Sequence, residues 1–174
     1  GMDYITAAIV MEEIAAGCMA TAGTYSVHLT AEYLLSAFGS TEQKEKFLPP
    51  MSGGEKIGAL VITESNAGSD AAAMISTAHF NNGEYVINGN KIFITTGGEA
   101  DVYVVYVKTD CKAGYKGISA FIVEKGNPGL SFGKKEDKMG YGGSPTRELV
   151  FNNCRIAPSN RLGSEGEGFS MVMR

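Results

Sequence analysis

The chain has 174 residues, of which 44% are hydrophobic and 20% charged, with a formal net charge of −4. This is a globular composition with enough length for one fair core or two small ones. The negative balance and the lack of any lysine- and arginine-rich run exclude a nucleic-acid footprint. No apolar stretch approaches a membrane span, and no signal-peptide pattern opens the chain.

In chain order, the first 48 residues read as helices. Ile5, Ala8, Ile9, Glu12 and Ala15-Ala16 fall at i, i+3, i+4 spacing as far as Gly17. A second stretch from about Thr24 to Phe38 carries Val27, Ala31, Leu34, Leu35 and Phe38 on one side, with Gly39 as its C-cap. Ser40-Thr41-Glu42-Gln43 is a capping-box signature for a short helix through Leu48, which Pro49-Pro50 is expected to stop. Met51 to Glu55 reads as a linker, so a helical unit over 1–52 is expected to give way to a β unit over 53–163.

From residue 55 the period is two. Leu60-Val61-Ile62 is a strand core, and Met74 to Phe80 alternates apolar with polar. Asn81-Asn82-Gly83 reads as a turn, and Asn88-Gly89 as a tight hairpin between Val86 and Lys91. Val102 to Val107 and Ile118 to Val123 are strands, with weaker candidates at Leu130–Phe132 and Glu148–Phe151. Helices followed by some seven strands without intervening helices predict an α+β chain: a helical segment, then an antiparallel β-sandwich or barrel rather than a doubly wound sheet. The terminal Gly-Glu-Gly-Phe-Ser-Met-Val-Met-Arg opens an amphipathic helix whose Phe169, Met171, Val172 and Met173 have no evident packing surface, so 164–174 reads as the start of a truncated C-terminal helical domain.

Most familiar site chemistries are missing. Cys18, Cys111 and Cys154 are odd in number and form no CxxC pair, and His28 and His79 lie far apart. A disulfide framework and a metal site are not expected, and a cytoplasmic location fits. No GxGxxG follows a strand, no phosphate loop ends in GKS or GKT, and Lys134 to Lys138 reads as a solvated turn. His28 reads as solvated or helix-packed. Two strand ends remain. Leu60 to Asp70 contains Thr63-Glu64-Ser65-Asn66-Ala67-Gly68-Ser69-Asp70, and Lys91 to Gly98 contains Phe93-Ile94-Thr95-Thr96. Small residues, hydroxyls and exposed amides at strand ends suit a flat, polar-edged cofactor or a phosphate, although two plain turns would share the pattern.

The segments GALVITESNAGSD, YVINGNKIFITTGGEADVYVVYVKTD, KGISAFIVEKGNPGLSFGKKEDKMG and ELVFNNCRIAPSNRLGSEGEGF resemble the middle domain of the flavin-dependent acyl-CoA dehydrogenases. VMEEIAAGCMATAGTYSVHLT and FGSTEQKEKFLPPM resemble the end of that family's N-terminal helical domain, and the short-chain, butyryl-type members are the most similar. The resemblance implies FAD-dependent α,β-dehydrogenation of a short-chain acyl-CoA. It implies cofactor-binding roles for Leu60, Ile62, Thr63, Gly68, Ser69, Phe93, Ile94 and Thr95. Among these, the Ile62 and Thr63 backbone and the Thr63 hydroxyl would meet the flavin's pyrimidine edge, and Ser69 a phosphate and the CoA of the substrate. Phe93 would flank the ring and Thr95 would lie near N5. Glu64 and Asp70 become loop-organising residues. Ser65 and Asn66 replace the proline and glycine usual in the family. The catalytic glutamate belongs to a C-terminal domain without a counterpart here, so a piece of the enzyme inactive alone is implied. An electron-transfer flavoprotein as acceptor and a tetrameric parent are also implied. An acyl-CoA oxidase and a non-catalytic β module without flavin are the rival readings.

Overall fold

The computed structural model describes residues 3–173; Gly1, Met2 and Arg174, at the outer ends of the first and last expected units, lie outside them. Three helices come first. In α1 (Tyr4–Gly17) the Asp3 carboxylate accepts the Thr6 amide at 2.8 Å, an N-cap. Extended backbone at Cys18 separates α1 from α2 (Met19–Phe38), which starts earlier than the apolar spacing indicated. α1 buries no residue, whereas α2 turns Ala22, Ala31, Leu34 and Leu35 inward.

The capping box of α3 (Thr41–Ser52) forms as expected: Gln43 N–H donates to Ser40 Oγ at 3.2 Å, and Ser40 N–H donates to Gln43 Oε1 at 3.0 Å. The Gln43 amide nitrogen then donates to the carbonyls of Ser159 and Arg161, at 2.7 and 2.9 Å, fastening the helix to the far end of the β unit. Contrary to expectation, Pro49-Pro50 does not stop α3, which continues to Ser52. The missing proline amides would have bonded carbonyls of exposed Glu45 and Lys46, where water can substitute, and the extra turn buries Met51 beside Phe47.

Eight strands follow: β1 (Gly58–Val61), β2 (Thr77–Asn81), β3 (Glu84–Thr95), β4 (Val102–Lys108), β5 (Ile118–Glu124), β6 (Leu130–Lys135), β7 (Thr146–Ile156) and β8 (Arg161–Leu162). They run β6-β7-β3-β2-β4-β5-β8, with β1 beside β4. The α+β class and the helices-then-sheet order hold. The sheet is mixed: β1 lies parallel to β4, and β2 meets β4 in parallel at Thr77 and Lys108, while the other joins are antiparallel.

The expected hairpin at Asn88-Gly89 is not a turn. β3 runs through it, and the turn between β2 and β3 is Asn82-Gly83, with Asn81 paired to Glu84 at the end of β2. Gly89 serves close approach instead: its φ is +146°, and a Cβ there would strike Ser76 Oγ.

β4 and β5 are buried on both faces, which explains their unbroken apolar runs. Tyr103, Val105 and Val107 join Ala59, Val61, Ile87, Phe121 and Leu149 in one core; Val102, Val104 and Tyr106 join Leu34, Leu35, Phe47 and Met51 in a second, beneath the helices. His28 on α2 accepts the Gly58 amide on Nδ1 at 3.0 Å, and is thus helix-packed. The terminal helix α4 (Gly168–Val172) does find packing: Met171 is buried in the second core, with Phe169 and Val172 against it, and only Met173 stays out.

Candidate functional site

The eight small and polar residues after β1 are wound around one carboxylate. Glu64 and Ala67 exchange backbone hydrogen bonds of 3.0 and 3.1 Å, closing a tight turn, and the Asn66 amide reaches the Ala73 carbonyl at 3.1 Å. The Glu64 side chain is turned inward and buried. It accepts the amides of Ile75 (2.7 Å) and Ser76 (3.1 Å) and the Lys91 ammonium (2.8 Å). Lys91 is itself fully buried and also donates to the Ile62 carbonyl at 2.9 Å. Burial alone would raise the Glu64 carboxyl, but the Ile75 amide, Lys91 and Ser76 together hold it below its ordinary range. Burial pushes the Lys91 ammonium down, opposed by Glu64. With the two groups at contact distance, both charged is the state the hydrogen bonds serve.

The second strand end lies against the first, because Ile92 N–H donates to the Thr63 carbonyl at 2.9 Å. There β3 slips register against β7 between Lys91 and Ile94. Phe93 takes φ +56° and is 61% exposed, while Ile94 takes the core position. A bulky residue in left-handed backbone costs on the order of 1–3 kcal/mol, and such strain concentrates at working sites. Thr96 follows at φ +60°, with its amide on the Pro145 carbonyl at 2.7 Å. The Gly98 amide donates to the buried Tyr103 hydroxyl at 3.1 Å; burial pushes that phenol up to about 12.

Of the residues singled out from the sequence, Thr63 is tied by the Ile92–Thr63 bond to the stretch of β3 that continues into Phe93 and Thr95. Leu60 and Ile62 pack their side chains, half-buried, against the helix-side core. The Ile94 side chain is buried in the other core, so only its backbone is available to a ligand. Gly68 and Ser69 are exposed on the loop, and among the described residues no hydrogen bond ties them to β3. Glu64 organises the loop as expected; Asp70 is exposed, and only its carbonyl bonds back, to Ala73 N–H. Lys91 is the residue that sequence reasoning missed. It sits in the two-residue phase of Tyr85 and Ile87, both buried. Among the described residues no acid, histidine or cysteine cluster could hold a metal. A cleft of about 280 Å³ lies away from the site, lined by Asn127, Gly129, Asn152, Asn153 and Arg155. There Asn127 already bonds the Arg155 carbonyl and the Gly129 amide.

Two family profiles divide this chain where its fold divides. The acyl-CoA dehydrogenase N-terminal domain matches residues 1–55 and the acyl-CoA dehydrogenase middle domain matches residues 59–154. The chain belongs to the acyl-CoA dehydrogenase family. It is 48% identical over 167 residues to an acryloyl-CoA reductase (NADH) of Anaerotignum propionicum, covering 95% of this chain and 42% of that protein. The structure of butyryl-CoA dehydrogenase from Megasphaera elsdenii superposes with a TM-score of 0.87 at 47% identity, over 88% of this chain and 41% of that one. An FAD complex of PigA superposes at 0.86 and 40% identity, over 89% and 41%. The chain thus spans less than half the length of these relatives. The family is one of oxidoreductases, and among the described residues no helix is long and apolar enough to cross a membrane.

Proposed function

We propose that this chain supplies one wall of the FAD and acyl-CoA site of an enzyme that introduces an α,β double bond into a short-chain acyl-CoA. The observation that carries the reading is the Thr63 amide. The Ile62 and Thr63 carbonyls and the Glu64 amide all have protein partners, and the Thr63 N–H between them has none among the described residues. A half-buried amide without an acceptor calls for one from a ligand or water. The exposed, strained Phe93 beside it offers an apolar ring face, and Gly68 and Ser69 leave the loop open to a close-lying phosphate. These features fit a flavin.

In this reading the Ile62–Thr63 backbone and the Thr63 hydroxyl hold the pyrimidine edge, and Phe93 covers the ring. Leu60 and Ile94 support that wall from the cores, contributing backbone only. Thr95 directs its hydroxyl toward N5, and Ser69 serves the pyrophosphate and the CoA. When bound, FAD supplies the acceptor for the β-hydride. The α-proton needs a positioned carboxylate, and neither carboxylate of this loop suits the role. Glu64 is committed to Lys91 and two amides, and Asp70 is an exposed loop residue. In this reading the base is supplied by the family's C-terminal domain and not by Glu64 or Asp70. An electron-transfer flavoprotein as acceptor, a tetrameric parent and a cytoplasmic setting belong to the same proposal.

The test is FAD titration of the 174-residue chain followed by amide NMR, then anaerobic addition of butyryl-CoA. Weak binding, above micromolar, that shifts the Thr63, Ser69, Phe93 and Thr95 amides without bleaching the flavin is expected. No shift at these amides favours a β module without flavin. Rapid bleaching abolished by Glu64→Gln places the base inside the chain and overturns the assignment.

A further inference from the structure

The buried Lys91–Glu64 pair joins the two strand ends of the site without touching solvent. Lys91 side-chain exposure is 0% and that of Glu64 2%. Replacing such a pair by well-packed apolar residues is often neutral or stabilising, so global stability does not account for it. Its hydrogen bonds say what it does. Lys91 leaves β3 and donates to two oxygens, Glu64 Oε1 and the Ile62 carbonyl, with Met74 Sδ at 3.9 Å as its third neighbour. Glu64 collects Lys91, Ile75 N–H and Ser76 N–H. The carboxylate is held in place by the chain that follows the loop, and it in turn holds the ammonium against Ile62.

The consequence lies in the Ile62–Thr63 peptide unit. The described residues contain no cis peptide bond, and in a trans unit the C=O and the following N–H point in opposite directions. A carbonyl drawn inward onto Lys91 therefore aims the Thr63 N–H outward. The next unit is fixed independently, with Thr63 C=O on Ile92 N–H and Glu64 N–H on Ala67 C=O. Of the four backbone groups in these two units, Thr63 N–H is the one without a partner among the described residues, and its direction is set from behind by a charged donor. Charge-assisted bonds are about twice as strong as neutral ones, so the unit resists rotation.

We propose that Lys91 is a positioning residue: from inside the fold it grips the Ile62 carbonyl and so presents the Thr63 amide to the edge of the bound cofactor, with Glu64 as its counter-anchor. This rests on reading the site as a flavin site. Lys91 touches neither cofactor nor substrate; it acts through one peptide plane. It thus makes the loop's amide donor a preorganised feature rather than one formed on binding.

The experiment compares Lys91→Met/Glu64→Gln with Glu64→Gln in the 174-residue chain. The double variant removes the grip without leaving an unpaired buried charge, and the glutamine introduced by Glu64→Gln keeps one acceptor oxygen for the Ile75 and Ser76 amides in place of two, a loss common to both variants. Carbonyl-detected NMR follows Ile62, amide NMR follows Thr63, and β4 and β5 amides report the fold. The Ile62 carbonyl and Thr63 amide resonances are expected to move further from those of the unaltered chain in the double variant, which has no donor at position 91, than in Glu64→Gln, which keeps it, with FAD binding about tenfold weaker in the double variant than in Glu64→Gln. Identical Ile62 and Thr63 resonances in the two variants overturn the proposal. If the double variant does not fold, the unaltered chain decides: a coupling across the hydrogen bond from Lys91 Nζ to the Ile62 carbonyl carbon supports the grip, and its absence refutes it. A responsive Ile62 carbonyl together with a Thr63 amide that millimolar FAD leaves unmoved overturns the flavin reading instead, while the Lys91–Ile62 bond stands.

Discussion

Replacing Lys91 alone by methionine keeps the bulk and deletes the charge, leaving the Glu64 carboxylate buried with two amide donors and no cation. Breaking a buried pair from one side costs about 3–5 kcal/mol, a large part of the roughly 5–15 kcal/mol that holds a domain folded. The size depends on pH in a fixed direction. In the native chain the folded-state pKa of Glu64 is lowered from 4.5, so its contribution is present above 4.5 and is lost only as pH falls through the lowered value. In Lys91→Met the dominant remaining influence is burial, which raises the folded-state pKa above 4.5. A raised carboxyl stabilises the fold in acid and loses that contribution as pH rises through the raised value. Between pH 7 and pH 5 the native chain therefore changes little at this site, while the variant recovers up to about 1.4 kcal/mol per pH unit as Glu64 protonates. Urea unfolding of both chains at the two pH values measures the gap directly. It is expected at about 3–5 kcal/mol at pH 7 and smaller at pH 5. A gap under about 1 kcal/mol at pH 7, or one equal at both pH values, refutes the claim that the pair is desolvated and mutually dependent.

Gln43→Ala removes half of the capping box and both bonds to the Ser159 and Arg161 carbonyls, so a loss of about 2–3 kcal/mol in thermal or urea unfolding is expected, against about 1 kcal/mol for Ser40→Ala. Cys154 is buried with its thiol pushed up to about 11, whereas Cys18 and Cys111 are exposed. Iodoacetamide at pH 8 should therefore alkylate two thiols on the folded chain and the third only after denaturation, as counted by intact mass.

Local chemistry with a single interpretation was legible in the sequence. Ser40 and Gln43 could form a capping box, and they do. The unbroken apolar runs of β4 and β5 could only be buried strands. The Asn88-Gly89 pair was misleading because the glycine there answers a tertiary demand, the approach of Ser76, that leaves no mark in neighbouring residues. That error hid a second feature. A turn at 88–89 resets the two-residue phase, so Lys91 reads as one more surface lysine. A continuous strand carries the phase of Tyr85 and Ile87 through Gly89 to Lys91 and marks it as inward. Its partner Glu64 is 27 residues away, a separation that no periodicity reports. The outward Phe93 was invisible for a related reason: it depends on the register shift against β7, which is set by pairing and not by propensity. The family motifs drew attention to these two loops, but not to the ion pair behind them.

The order β6-β7-β3-β2-β4-β5-β8 also sets how this chain reaches its native state. β2 and β3 are joined by a two-residue turn and can pair within microseconds, but β3 must then wait for β7, to which Asn88 is bonded across 65 residues. Every long closure loses chain entropy before any contact rewards it, so refolding belongs in the millisecond-to-second range of non-local β proteins. Until β7 arrives, one edge of the β2–β3 ribbon is bare, with unpaired amides and carbonyls along twelve residues of β3. Association through that edge competes with folding, so refolding yield should fall as protein concentration rises and recover at high dilution.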